Sequence, residues 1–262
     1  MPPTLDSLIL LGTVAGLLAG LATGIGAVPV FLIRAVRPST TAALLGFGAG
    51  VMLAATSFSL IVPGIEAAER QGAGALASSG LVSAGMLVGA LAILAANHYL
   101  PHEHFVKGPE GAATERVSRI WLFVIAITLH NFPEGLAVGV GFGGGDVSNG
   151  LSLATGIALQ NLPEGYAVAV ALTTIGDSAG RAFLVALLTG LVEPIGSLVG
   201  VSAASVSESL LPIGMGFAAG AMLFVISNEI IPESHREGQG LAGTIGILIG
   251  FVVMMVLDTA FG

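Results

Sequence analysis

The chain contains no cysteine. That absence removes disulfides, thiolate nucleophiles and cysteine-based metal clusters, so any metal must be held by His, Glu, Asp, Asn, Gln, Met or backbone oxygen. Charge is scarce too: Asp, Glu, Lys and Arg make up 9% of 262 residues, against 54% hydrophobic residues and a mean hydropathy of +0.96. So few polar side chains cannot cover a globule of this size, and the composition indicates an integral membrane protein. Eight basic residues stand against sixteen acidic ones, for a net charge of -8, and the basic footprint of a nucleic-acid binder is missing. The opening stretch, Met1 to Asp6, lacks a basic region, and the apolar run after it is too long for a signal peptide; a retained first span is expected.

What the chain has instead is long apolar runs. A spanning helix needs about 20 mostly apolar residues, and cutting where Pro, Gly and charge cluster leaves eight runs, at about 8–33, 42–65, 80–100, 119–142, 150–173, 182–204, 210–231 and 242–261. The expected architecture is an all-α polytopic membrane protein forming one transmembrane domain over 1–262. Only the connection from Pro101 to Ser118 is long and polar, and it is expected to be a flexible loop. If the helices alternate, Arg34, Arg37, Lys107, Arg116, Arg119, Arg181 and Arg236 fall on one side and only Arg70 on the other. That bias puts the loop 101–118 in the cytoplasm and both termini outside. Glycines four apart, Gly12, Gly16, Gly20 and Gly24, then Gly46 and Gly50, read as helix-packing faces.

A near-repeat interrupts the fourth and fifth runs: Leu129-His130-Asn131-Phe132-Pro133-Glu134-Gly135 and Leu159-Gln160-Asn161-Leu162-Pro163-Glu164-Gly165, with Glu193-Pro194 in the middle of the sixth. Three carboxyls on three successive runs share one depth, where an unpaired charge is expensive. On a helix His130 and Glu134 project from one face, as do Gln160 and Glu164. Pro133, Pro163 and Pro194 each remove an N–H, freeing the carbonyls of Leu129, Leu159 and Gly190, and free oxygens at the midplane are how transporters build ion sites. Any one of these residues alone could be a packing residue, but so many together would each need a separate partner. Clustered carboxylates repel and hold either protons or a cation. An added imidazole favours a borderline metal such as Zn²⁺ over Ca²⁺ or Mg²⁺.

Other residues fit a path to and from that depth. Glu66 and Asp258 lie towards the outer ends of their runs, while Glu229, Glu233 and His235 gather at the inner end of the seventh, and His102, Glu103 and His104 lie in the loop. Each is equally well read as a solvated helix end. Met52 alone reads as packing, and Ser57 and Ser59 as bonding back to their own helix.

On the motifs HNFPEG at 130–135, QNLPEG at 160–165 and the Glu193-Pro194 pair, the chain resembles the ZIP (Zrt/Irt-like) divalent-metal transporters of bacterial type over essentially its whole length. The resemblance implies an inverted repeat of helices 1–3 and 6–8 around helices 4–5, and metal uptake into the cytoplasm by one helical block moving against another. It implies a non-enzymatic protein of the inner (plasma) membrane with no cofactor, whose substrate is Zn²⁺, or Cd²⁺, Fe²⁺ or Mn²⁺. Partners are then divalent cations and the lipid bilayer, with a homodimer left open. By the same resemblance His130, Glu134 and Glu164 ligate one metal with Met52 close by, and Asn131, Gln160, Asn161, Glu164 and Glu193 line a second site bridged by Glu164. Glu229 falls on the exit path and Ser59 near the outer gate. Asn161 stands where relatives often carry Asp, and Asn228 where some carry His, which weakens the second site and a metal-binding exit step. A proton-coupled transporter of a small organic solute, or an intramembrane metalloprotease, is the alternative; the latter would want a second His one turn from His130.

Overall fold

The computed structural model describes residues 4–33, 37–99, 102–104, 108–110, 119–174, 176–206 and 208–261. The described residues are almost wholly helical. In order come α1 (Leu5–Ala27) continued by a 3₁₀ turn (Val28–Phe31), α2 (Pro38–Ala54), a π-helical segment (Ala55–Ile61), α3 (Val62–Arg70) and α4 (Ala75–Tyr99). After a polar connection follow α5 (Arg119–Gly143), α6 (Val147–Thr174), α7 (Ala179–Gly190), α8 (Glu193–Val206), α9 (Leu211–Val225), a second π segment (Ile226–Ile230), α10 (Ile231–Ser234) and α11 (Gly240–Phe261). Among the described residues, six helical stretches are long and apolar enough to cross a membrane: Leu5–Phe31, Pro38–Arg70, Ala75–Tyr99, Ala179–Ala204, Leu211–Ser234 and Gly240–Ala260. The large aliphatic residues exposed on them, such as Leu18, Leu87, Leu188 and Leu248, need an apolar solvent.

The structure refines the apolar runs and the polar connection in three places. The sixth run is not one helix: α7 ends at Gly190 and α8 starts at Glu193, because Pro194 cannot donate to Gly190 and its ring disfavours a continuous turn there. Runs two and seven each widen into a π segment, just ahead of Pro63 and Pro232, where the lost N–H allows the ladder to slip by one residue. In the polar connection, residues 102–104 and 108–110 form a two-stranded antiparallel pair, with His102 opposite Glu110. The side chains of His102, Glu103 and His104, and most of 101–118, lie outside the described residues.

The helices sort into two bundles. In one, α1 packs along α6, α7 and α8, and α5 along α8; in the other, α2 packs along α11, and α4 along α9. Contacts of α6 with α2 and α11, and of α5 with α9, join them. Small residues make these approaches. A Cβ added at Gly12 would sit 3.3 Å from the Cβ of Val201 on α8, and one at Gly20 would overlap the Gly190 carbonyl. Gly46 and Gly50 likewise meet the α11 backbone at Gly243 and Ile247. The four-residue glycine spacing is thus a packing face on α1 and again on α2, as small residues allow in membrane helices. Ser197 adds a cross-helix bond, its hydroxyl donating to the Gly12 carbonyl at 2.6 Å.

Candidate metal centre

The two P-E-G stretches sit inside uninterrupted helices, Pro133 in α5 and Pro163 in α6. Between them the chain turns at Gly145, whose φ of 80° is open to glycine at low cost and whose N–H bonds to the Phe142 carbonyl at 3.0 Å. This short connection keeps α5 and α6 adjacent and antiparallel. The glycine of each motif then sets how closely its helix approaches a neighbour. A Cβ at Gly135 would overlap the Glu193 carbonyl on α8, and one at Gly165 the Thr23 carbonyl on α1. From α8, Gly196 returns the approach against the Phe132 carbonyl. Four backbones thereby converge on the carboxylates.

Two of those carboxylates lie deep in the molecule, and Glu164 is half-buried. Glu134 and Glu193 are fully buried, and so are Asn131 and Asn161. Glu164 interacts electrostatically with His130, Glu134 and Glu193, the common neighbour of all three. Among the described residues, neither oxygen of Glu134 has a close hydrogen-bond partner, nor do Oε2 of Glu164, Oε2 of Glu193, or either amide atom of Asn131; the Gln160 amide is the donor that approaches Glu134 and Glu164. Burying ionised carboxylates without donors costs several kcal/mol each, so this set of oxygens is suited to a group that brings positive charge.

Asn161 plays a different part. Its Nδ2 donates both to the Ala19 carbonyl at 2.8 Å and to Glu193 Oε1 at 2.7 Å, and its Oδ1 accepts from Gln160 Nε2 at 2.6 Å. Two acceptors fix which end of the amide is nitrogen, so Asn161 orients Glu193 and ties α6 to α1 and α8. Gly48 of α2 faces Gln160 Oε1, and Met52, almost fully buried, packs in the main apolar core.

His130 has a further partner outside the carboxylate set. Its Nε2 contacts Glu229 Oε2 in the second π segment, and Glu229 Oε1 accepts from Asn97 Nδ2 of α4 at 3.0 Å. Among the described residues no group of three or more His, Asp or Glu surrounds one point in metal-ligand fashion. The partner that His130 meets, Glu229, is the residue that the resemblance put on the exit path. Asn97 was missed: its only signal is an amide near the end of an apolar run.

The remaining candidates separate. Ser57 bonds back to the Leu53 carbonyl at 2.9 Å as expected, but Ser59 donates to Asp258 Oδ1 at 2.6 Å. The side chain of Glu66 is exposed and lies 3.7 Å from Arg70. Glu233 pairs with Arg236 at 3.4 Å. His235 is exposed and contacts Ser234, Thr244 and the Ile231 carbonyl. Glu229 meets His130 and Asn97, while Glu233 meets Arg236 and His235 meets Ser234 and Thr244.

A polytopic helical membrane protein with clustered, incompletely hydrogen-bonded carboxylates at a helix crossing defines a class, that of an ion-handling membrane protein. Its family is settled by comparison. Residues 102–258 match the family described as ZIP zinc transporter. The chain is 49% identical over 251 residues to the zinc transporter GufA of Myxococcus xanthus, covering 96% of this chain and 99% of that one. It is 48% identical over 252 residues to the zinc transporter ZIPB of Bordetella bronchiseptica, covering 96% and 81%, and 32% identical over 321 residues to the human zinc transporter ZIP11, covering 92% and 94%. The chain belongs to the ZIP family. That family consists of transporters rather than enzymes, which sets the metalloprotease alternative aside.

Proposed function

We propose that this chain carries Zn²⁺, with Cd²⁺, Fe²⁺ and Mn²⁺ as further candidate substrates, across the inner (plasma) membrane into the cytoplasm through the Glu134, Glu164 and Glu193 cluster. The observation that carries the reading is the clustering of three carboxylates inside the helical bundle, with more buried oxygens than hydrogen-bond donors among the described residues. A divalent cation supplies the charge they lack, whereas hydrogen-bonded packing residues would have found donors.

In this reading α5 and α6, 25 and 28 residues long, cross the membrane with the six apolar stretches. The count is then eight, with both termini outside by the basic-residue bias. The equivalent π segments ahead of Pro63 and Pro232 favour an inverted relation between the first three and last three spans. The bundle holding α1, α5, α6, α7 and α8 carries the site and moves against the bundle holding α2, α4, α9 and α11. His130 and Glu164 interact electrostatically, so His130 joins Glu134 and Glu164 as a ligand in one position of the moving bundle and meets Glu229 on the inward route in the other. Asn161, committed to Ala19, Gln160 and Glu193, leaves a single strong metal position.

Flux of Zn²⁺ into proteoliposomes tests the reading. Wild-type protein is expected to transport, and Glu164→Ala to be inactive; identical behaviour of the two with every divalent metal would overturn it.

A further inference from the structure

Apart from the carboxylates, a second polar cluster links the two bundles at the end where α6 begins and α11 finishes. Pro63 removes the N–H that an α-helix would aim at the Ser59 carbonyl. That carbonyl accepts instead from Asn149 Nδ2 of α6 at 3.1 Å. The Ser59 hydroxyl donates to Asp258 Oδ1 of α11 at 2.6 Å, and the hydroxyl of Ser152, one turn on from Asn149 and almost fully buried, reaches the same oxygen at 3.4 Å. Ser59 and Asp258 belong to one bundle, Asn149 and Ser152 to the other.

We infer that Asn149 is a gating residue: with Ser152 it fastens the α6 bundle to the Ser59 turn, and this tie breaks whenever that end of the molecule opens. The inference rests on the transporter reading, since a gate requires bundles that move. A hydrogen bond has a reach of about 3 Å, so sliding α6 past α2 by a helical turn, about 5.4 Å, breaks both contacts. Asn149 is fit for this task because its backbone and side chain have separate duties. The N–H is held by Asp146 Oδ1 at 3.0 Å, which caps the start of α6, leaving the amide for the gate. Removing the side chain therefore spares the helix.

The absence of cysteine supplies the test. Thr56 lies in the same π segment as Ser59, three residues earlier, is 2% exposed, and its hydroxyl has no hydrogen-bond partner among the described residues. A Thr56→Cys reporter is labelled with a membrane-impermeant thiol reagent in right-side-out vesicles without zinc. Adding Asn149→Ala is expected to raise the labelling rate by about tenfold, the factor that one lost hydrogen bond permits. Asn149→Asp, whose carboxylate faces the Ser59 carbonyl and Asp258, should raise it at least as much. Equal rates in the reporter and both variants, each eluting as folded protein, would overturn the gate. Zinc flux in the reporter alone is measured in parallel: its absence would count against transport, whereas normal flux with unchanged labelling would count against the gate only.

Discussion

At the residue scale the chain spends its few polar groups unequally. Asn161 and Glu193 are locked together, whereas Glu134 has no close hydrogen bond among the described residues and Glu164 interacts electrostatically with His130, Glu134 and Glu193. Loss of Glu164 should therefore cost more than loss of Glu193. Glu164→Ala is expected to weaken zinc binding beyond the roughly 10–100-fold that outer partners contribute, and Glu193→Ala to fall within that range, as measured by equilibrium binding of radioactive zinc. Acid should act in one direction. Metal ligands bind in their deprotonated forms, so protons and metal compete, and zinc affinity is expected to fall from pH 7 to pH 5. Tighter binding at pH 5 would contradict a His and carboxylate site. The carboxylates and His130 were legible in the sequence because ionisable groups in apolar runs are conspicuous; Asn97, Asn149 and Ser152 were not, because an amide or hydroxyl near a run's end looks like a solvated terminus.

At the element scale the glycines of the P-E-G motifs matter as much as the acids. A Cβ at Gly135 meets the Glu193 backbone, which cannot rotate away, so Gly135→Ala must push α5 off α8. Overpacking of this kind costs about 1–3 kcal/mol, and a lowered unfolding temperature in detergent is the expected result. Gly74→Ala, with open space around it, is the matched control and should leave the temperature unchanged. Proline acts at this scale as well, with different outcomes in different places. Pro133 and Pro163 are absorbed within long helices, Pro194 accompanies a break, and Pro63 and Pro232 follow π segments. Sequence identifies the missing N–H in all five, but the outcome depends on whether a neighbouring helix supplies a donor or space.

For the whole molecule, the division into two bundles predicts which cross-links arrest the cycle. Gly156 of α6 faces Met254 of α11 across the boundary, whereas Gly12 and Val201 face each other within one bundle. Oxidising the pair Gly156→Cys and Met254→Cys should abolish zinc flux, with recovery on reduction; Gly12→Cys with Val201→Cys should permit flux in both states. Block by the second pair and not the first would refute bundle motion. The membrane class and the family motifs were readable without coordinates, since they rest on composition and contiguous residues. The bundle division was not, because it depends on which glycine faces meet.

From the residues alone came the apolar solvent, the helical character and the conspicuousness of three carboxyls in apolar runs: hydropathy and a period of 3.6 residues act locally, and burying charge in hydrocarbon is costly wherever it occurs. Only the tertiary structure decided the partners. It brought Asn161 to Glu193, turned His130 towards Glu229 and placed Asn149 against Ser59. These contacts join residues 32, 99 and 90 positions apart, and such pairings follow from how helices pack, which no local pattern encodes.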